Sequence, residues 1–217
     1  LSDQYLADST VSISEFDFDN LEIERHLINE KDSKDYEDYN RYEFSDDGIS
    51  PRAYPGLLKG EVVLADSDEH NQHGNIIEDA ESRNKMTDKR MKKLEKLVEE
   101  DLKEAKYYGE DDIDYLFLSW GSTFGQLKET IQLLANDGIK AGMLSFSDIW
   151  PLSKTKIEKW AKRDVKIIDV ENNSTAQFAR LIKSEISIEI DNKILKYDGR
   201  PFTAKEIYER FLSEVKK

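Results

Sequence analysis

The 217-residue sequence contains no cysteine. This excludes disulfides, thiolate metal sites, cysteine nucleophiles and protein-held iron–sulfur clusters within this stretch. It is most compatible with a reducing compartment, and we expect the cytoplasm. No apolar run approaches the roughly 20 residues that cross a bilayer. We therefore expect no membrane span, and the opening "LSDQYLADSTVSI" lacks the basic and apolar regions of a signal peptide.

Positive charge is also scarce, because 32 Lys and Arg stand against 46 Asp and Glu, for a formal net charge of −14. Nucleic acids and anionic membranes are bound through clustered Lys and Arg. We therefore expect neither as a partner. Acidic surfaces are common on cytosolic proteins without a special partner. The charge therefore excludes these two classes of partner but does not indicate another.

The first region, residues 1–47, begins with Leu1 instead of Met, and "LSDQYLADS" is typical of the end of a strand. We expect a piece of a longer chain that opens on the tail of a preceding domain. The segment 17–47 is dense in Asp, Glu, Lys and Tyr and has no sustained hydrophobic period, which predicts a solvated linker arm.

The second region, residues 48–109, opens with "DGISPRAYPG", where two glycines and two prolines predict turns. "EVVLA", residues 61–65, predicts a short buried strand. Residues 78–107 predict a long helix that Gly109 ends. Its apolar positions recur every three or four residues and share one face, which is expected to pack on protein. These positions are Met91, Leu94, Val98, Leu102 and Ala105.

The third region, residues 110–217, alternates apolar strands with amphipathic helices, as in "DYLFLSW", "IKAGMLSFSD" and "VKIIDVE" and the helical segments after each. This pattern is typical of a parallel sheet covered on both faces, so we predict an α/β fold with a doubly wound, mostly parallel sheet. Two short strands around a turn at Asp191–Lys193 and a last helix complete it.

Two histidines, His70 and His73, lie three residues apart beside Asp68 and Glu69. Helical zinc sites place histidines four residues apart, and no third ligand is indicated here. A polar surface or interface loop is therefore favoured over a metal site. Acid–base use stays open because histidine titrates near neutrality, although no nucleophile is evident.

Two polar segments follow strands of the predicted sheet. In "SWGSTFGQ", Gly121 permits a tight turn, and helix capping by Ser122 or Thr123 is favoured over phosphate binding at the helix start. In "DVENNSTAQFARLI", helix capping accounts for Ser174 or Thr175. It does not explain Glu171, Asn172 and Asn173, for which a contact across an interface and a purely structural role are equally favoured.

Taken in order, "DGISPRAYPG", "DSDEHNQHGNIIEDAESRNKMTDKR", "SWGSTFGQ" and "VENNSTAQFARLI" resemble the alpha subunit of 2-oxoacid:ferredoxin oxidoreductases, especially the 2-oxoglutarate type, over nearly the whole chain. The resemblance implies a domain like the C-terminal domain of transketolase, preceded by the tail of a pyrimidine-binding domain. The family's Tyr-Pro-Ile-Thr-Pro segment is absent, so this chain is expected to have no catalytic residue, no cofactor of its own and no activity alone.

The resemblance implies that the complete enzyme decarboxylates a 2-oxoacid oxidatively with coenzyme A, giving acyl-CoA, carbon dioxide and electrons for ferredoxin. Thiamine diphosphate, Mg²⁺ and an iron–sulfur cluster lie elsewhere in that enzyme, and a beta subunit, with gamma and delta subunits in some members, is the implied partner. The loop of Asp68, Glu69, His70 and His73 is then a polar interface segment. Arg52 is the candidate for contacting an anion. The alternative is that its side chain pairs with a carbonyl or an acid at an interface.

Two rival interpretations remain. One is a free-standing α/β module that binds a phosphorylated ligand at Gly121–Thr123 and needs no partner subunit. The other is a structural domain of a different thiamine enzyme, which shares the fold but is expected to lack "DGISPRAYPG".

Overall fold

The computed structural model describes residues 4–31, 36 and 38–216. The chain divides into two compact units. We call Leu102–Lys217 together with Leu1–Ser12 the sheet unit, and Ile13–Asp101 the loop unit. Among the described residues, no helix is long and apolar enough to span a bilayer.

The sheet unit is built on a five-stranded sheet in the order β1-β3-β2-β4-β5. Strand β1 pairs antiparallel with β3, whereas β2 pairs parallel with both β3 and β4, and β4 pairs parallel with β5. The predicted doubly wound, mostly parallel sheet is therefore confirmed. The strands are β1 (Lys106–Tyr108), β2 (Tyr115–Trp120), β3 (Ala141–Phe146), β4 (Lys166–Glu171) and β5 (Asn192–Leu195).

Helices connect the strands, and one long helix lies in the loop unit. They are α1 (Gln4–Asp8), α2 (Ala80–Glu100), α3 (Phe124–Asn136), α4 (Thr155–Ala161), α5 (Gln177–Ile186) and α6 (Ala204–Arg210), with a π-helical turn (Phe211–Val215) after α6. The predicted helices after β2, β3 and β4 and the last helix are confirmed. Helix α2 belongs to the loop unit.

Apolar strands are buried on both faces because helices cover both sides of the sheet. Leu118 packs in a cluster with residues of α4 and α5 on one side. Phe117 packs with residues of α3 and α6 on the other side. Burial of a large apolar side chain contributes about 1.5–3 kcal/mol. The continuous hydrophobic run of β2 is therefore explained by burial on both faces.

The loop unit has a small apolar cluster of Ile28, Tyr39 and Leu58. Backbone pairing is sparse and includes an isolated parallel bridge between Leu27 and Arg52. Side chains supply further ties, such as the bond from the Tyr42 hydroxyl to the Leu64 carbonyl at 3.2 Å. Turns and polar contacts therefore hold much of this unit, as the prolines and glycines indicated.

The long helix ends earlier than the sequence predicted. It stops at Glu100, and residues Lys106–Tyr108 form strand β1 instead of its last turn. Tyr107 stacks on Trp160 with ring centroids 4.9 Å apart, and these edge-strand contacts outweigh the helical period. Gly109 is not a helix end, because it follows strand β1. It has φ 141°, and a Cβ there would lie 2.8 Å from the Cα of Gly142, so this position requires glycine.

Within this chain, α2 does not pack through its predicted apolar face. Within the described residues, the buried side chains of α2 are Met86 and Lys89, whereas Met91 is 53% exposed and Val98 44% exposed. Lys89 and Val98 are nine residues apart, which is two and a half helical turns of 3.6 residues. The apolar stripe therefore lies on the side of α2 opposite to Lys89.

Three strand predictions fail because strands need a neighbour to pair with. "EVVLA" forms no strand, and its Val62 is 77% exposed. In "LSDQYLADS", Gln4–Asp8 is helical, and residues 1–3 lie outside the described residues. Of the two strands expected around Asp191–Lys193, only the second forms among the described residues, and it starts at Asn192 because pairing with Ile168 begins there.

Candidate functional site

The carboxyl edge of the sheet has a topological switch point between β2 and β4. After β2 the chain crosses toward β3, and after β4 it crosses toward β5 on the other side. Open α/β sheets bind ligands at such points. The two polar segments predicted from the sequence meet here, since Trp120 Nε1 donates to Glu171 Oε2 at 3.3 Å.

Glu171 is fully buried and anchors the start of α5. Its Oε1 accepts the backbone N–H groups of Phe178 at 2.9 Å and Ala179 at 3.2 Å. These first-turn N–H groups lack partners inside the helix, and the helix dipole favours a negative charge beside them. The predicted capping by Ser174 or Thr175 is therefore wrong, because a carboxylate from the strand end takes that role.

Asn173 is likewise used inside this loop. Its Nδ2 donates to Glu171 Oε2 at 2.6 Å, and its Oδ1 accepts the backbone N–H of Thr175 at 3.0 Å. Asn172 differs, because its Oδ1 is buried and has no partner among the described residues. Of the three polar residues left open by the sequence, two thus have internal structural partners.

Asp169 is a further acid of this edge that the sequence analysis did not single out. It is fully buried, and neither carboxyl oxygen has a hydrogen-bond donor among the described residues. Burial raises the pKa of Asp169 well above its ordinary value, and the neighbouring Glu171 raises it further, while Lys193 acts in the opposite direction. Burial and the neighbouring Glu171 therefore favour the protonated, uncharged form of Asp169. The signal was an acid inside an otherwise apolar strand.

The turn after β2 carries the other candidate residues. Gly121 has φ 58°, which glycine adopts without steric cost. The Thr123 hydroxyl donates to the Trp120 carbonyl at 3.0 Å and lies 3.3 Å from Ser119 Oγ. It makes no capping bond to α3, so capping by Thr123 is wrong. Ser122 is partly buried in the same turn.

In the loop unit, Glu69 is held by α2. Arg90 donates to both of its carboxylate oxygens, at 2.9 and 2.7 Å, and Arg83 approaches within 3.8 Å. The hydrogen bonds and charge of Arg90 lower the pKa of Glu69 to about 2, against the opposing effect of burial. Glu69 is thus an ionised anchor between its loop and the helix.

The two histidines have different surroundings. The His70 ring lies against Tyr42 with centroids 4.0 Å apart, and its Nδ1 is 3.0 Å from the Asn71 carbonyl. His73 and Asp68 are exposed. The described part of the chain has no group of three His, Cys, Asp or Glu side chains that could hold a metal ion. The donor set here does not fit Mg²⁺ or an iron–sulfur cluster.

Arg52 pairs by its backbone with the arm. Its N–H donates to the His26 carbonyl and its carbonyl accepts from the Ile28 N–H, each at 2.8 Å. Its side-chain Nε donates to the Arg25 carbonyl at 3.2 Å. The guanidinium borders an open cavity.

Comparisons with known proteins decide the family. The family model of the pyruvate:ferredoxin oxidoreductase core domain II matches residues 113–207. The alpha subunit of 2-oxoacid:ferredoxin oxidoreductase 1 from Sulfurisphaera tokodaii is 35% identical over 210 residues, which cover 96% of this chain and 32% of that protein. The chain belongs to the family of 2-oxoacid:ferredoxin oxidoreductase alpha subunits.

Two more relatives agree with this family. The alpha subunit of 2-oxoacid:ferredoxin oxidoreductase 2 from Aeropyrum pernix is 32% identical, with 95% of this chain and 32% of that protein covered. The solved 2-oxoglutarate:ferredoxin oxidoreductase from Magnetococcus marinus, with 2-oxoglutarate, coenzyme A and succinyl-CoA bound, matches at TM-score 0.72 and 30% identity over 81% of this chain and 30% of that chain. The chain spans about a third of its curated relatives' length.

Proposed function

We propose that this chain is part of the alpha subunit of an enzyme that oxidatively decarboxylates a 2-oxoacid with coenzyme A. The products are acyl-CoA, carbon dioxide and two electrons for ferredoxin, and 2-oxoglutarate is the proposed substrate. The carrying observation is the similarity to 2-oxoacid:ferredoxin oxidoreductase alpha subunits along 96% of the chain. The 2-oxoglutarate enzyme of Magnetococcus marinus, at TM-score 0.72, supports the substrate.

The proposed share of this chain is assembly with a beta subunit, and with gamma and delta subunits where they occur. Thiamine diphosphate, which supplies the carbanion-stabilising chemistry when bound, and the metal groups are proposed to lie on other parts of the enzyme. The polar groups of Glu171 and Asn173 at the switch point are occupied by their own loop and helix. This occupancy favours a structural role over a catalytic one.

Apolar side chains at the surface of the loop unit support an assembly role. Exposed apolar patches mark sites of protein association. The stripe of α2 is one, with Met91 and Val98 exposed. Other exposed apolar residues of this unit include Phe16, Phe18, Tyr54 and Val62.

The enzymatic proposal is tested by co-expressing the full-length alpha subunit with its beta subunit and measuring viologen or ferredoxin reduction with a series of 2-oxoacids and coenzyme A. We expect coenzyme A-dependent reduction with the highest kcat/KM for 2-oxoglutarate. A pure complex without such activity contradicts the proposed reaction. A higher kcat/KM for pyruvate contradicts the proposed substrate alone.

The assembly role has a charge-matched test on α2. The double change Met91→Ser with Val98→Ser removes the exposed stripe, whereas Lys92→Ser with Glu99→Ser alters exposed charged positions of the same helix. Neither pair changes the net charge. We expect the first pair alone to weaken alpha–beta association in analytical ultracentrifugation, with the melting temperatures of both variants close to the parent. Equal association by both pairs contradicts a role of the stripe.

A further inference from the structure

Five cationic side chains border one cavity of the loop unit. The cavity has a volume of about 490 Å³, and its cationic residues are Arg25, Arg41, Arg52, Lys89 and Lys93. The acidic residue among its lining is Glu24. The chain as a whole has a formal net charge of −14, so this cluster of positive charge differs in sign from the rest of the protein.

Among the described residues, none of these five cations forms an ion pair with a carboxylate. In the described part of the chain, the carboxylate contacts within 4.0 Å are made by other cations, such as Arg83, Arg90 and Lys96. Glu24 uses a carboxylate oxygen to accept the backbone N–H of His26 at 2.5 Å. The cavity therefore has a positive potential that the neighbouring acids do not cancel.

Lys89 shows this imbalance most clearly, because it is only 7% exposed. Its Nζ donates to the Tyr42 carbonyl at 3.1 Å and to Ser50 Oγ at 2.5 Å, both of them neutral acceptors. An ammonium has three donors, and the third has no acceptor among the described residues. Burial lowers the pKa of Lys89 to about 8, the charges of Lys93 and Arg41 contribute further, and Glu43 opposes them. A buried cation without a counter-ion is costly, and a bound anion would remove that cost.

Arg52 offers a complementary group. Its Nε is used by the Arg25 carbonyl, and its two terminal nitrogens have no hydrogen-bond partner in the part of the chain that the structure describes. Backbone bonds to His26 and Ile28 hold the base of this side chain. A guanidinium positioned in this way can donate two parallel hydrogen bonds to one phosphate or carboxylate.

We propose that this cavity binds a phosphate group carried by a small molecule. A lining that includes three arginines and two lysines suits an anion with two or more negative charges, and a single carboxylate would leave most of this positive charge uncompensated. The volume lies within the range of about 300–1,000 Å³ that is usual for small-molecule sites. All lining residues lie between Ile23 and Lys93 in the loop unit, whereas the switch point belongs to the sheet unit, so the proposed binding does not rest on the proposed enzymatic function.

The test is calorimetric titration of the purified protein with inorganic pyrophosphate at low ionic strength. We expect saturable binding of one pyrophosphate per chain that weakens as salt is raised. Arg52→Gln and Lys93→Gln are each expected to raise Kd about tenfold, as loss of one charge-assisted hydrogen bond does. Lys59→Gln is the matched control, because it removes the same charge from an exposed lysine outside the cavity lining and is expected to leave Kd unchanged. Melting curves verify that all variants fold.

Two further titrations identify the chemistry. Succinate, a dianion without phosphate, is expected to bind at least tenfold more weakly than pyrophosphate, and orthophosphate is also expected to bind more weakly. The proposal is overturned if the parent protein shows no saturable binding, if Lys59→Gln weakens binding as much as Arg52→Gln, or if succinate binds as tightly as pyrophosphate. Orthophosphate binding as tight as that of pyrophosphate overturns the assignment to a larger molecule in favour of free phosphate.

Discussion

Different interactions stabilise the interior of the sheet unit and the interior of the loop unit. In the sheet unit, apolar clusters on both faces include fully buried side chains such as Phe117, Leu118 and Phe178. In the loop unit, the small cluster of Ile28, Tyr39 and Leu58 is supplemented by side chains bonded to backbone carbonyls. Where no sheet satisfies the backbone, polar side chains take over that role.

The same contrast applies to buried charge. Glu171 in the sheet unit accepts bonds from two backbone N–H groups, an indole and an amide. Lys89 in the loop unit has two neutral acceptors and cationic neighbours. The hydrogen bonds of Glu171 fix the local structure of its loop and helix, whereas Lys89 keeps a third donor for the anion proposed to bind in the loop unit.

The largest difference between the units is expected for a leucine-to-alanine pair. Leu134→Ala, at a fully buried position of α3, should lower the free energy of unfolding by about 2–5 kcal/mol because it leaves a cavity. Leu97→Ala, on α2 at 37% exposure, should change it by about 0.5 kcal/mol or less. Urea denaturation followed by circular dichroism measures both. An equal loss in the two variants would mean that α2 is packed as tightly as α3.

A second comparison concerns the anchor of α5. Glu171→Gln replaces one acceptor oxygen with an amide donor facing other donors, so we expect a loss of about 1–3 kcal/mol in unfolding free energy. Glu189→Gln is the control, because Glu189 forms an ion pair with Lys183 in which both side chains are more than half exposed. Such pairs contribute little. Denaturant titration of both variants gives the difference, and a neutral Glu171→Gln would contradict the anchoring role.

The buried acid of β4 should make stability depend on pH. Burial raises the pKa of Asp169, so the folded state keeps a proton that the unfolded state loses, and stability falls as pH rises above the ordinary aspartate value. Asp169→Asn mimics the neutral acid and should raise the melting temperature at pH 8 more than at pH 4. Asp164→Asn, at an exposed position, should show no such pH dependence. A parallel shift at both pH values would contradict a protonated Asp169.

The smallest effect is expected at the Glu69–Arg90 pair of the loop unit. Glu69→Gln should cost about 1 kcal/mol near neutral pH, because Arg90 is half exposed and solvent screens the pair. With the pKa of Glu69 lowered from 4.5 to about 2, this contribution is present above pH 4.5 and is lost as pH falls toward 2. Melting curves between pH 2 and pH 7 should show parent and variant converging in acid. The exposed Glu81→Gln control should follow the parent throughout.

Local pattern predicted the sheet unit well and the loop unit poorly. The runs of β2, β3 and β4 are apolar because both faces are covered, which can be read from sequence. The apolar run of "EVVLA" has the same local character, yet Val62 is exposed and no strand pairs with this run among the residues that the structure describes. Hydrophobicity marks a segment that could pair, but pairing requires a neighbour that only the fold supplies.

By itself, the sequence determined the alternation of strands and helices after Asp111, the exclusion of cysteine chemistry and the resemblance to one family. The tertiary structure decided the strand order, and with it the contact of Trp120 with Glu171, 51 residues away. It also decided that Lys89, at a helix position outside the predicted apolar stripe, meets Ser50 in a cationic cavity. Periodicity reports how a segment repeats along its own axis, whereas these contacts join residues distant in sequence and arise only when the elements pack.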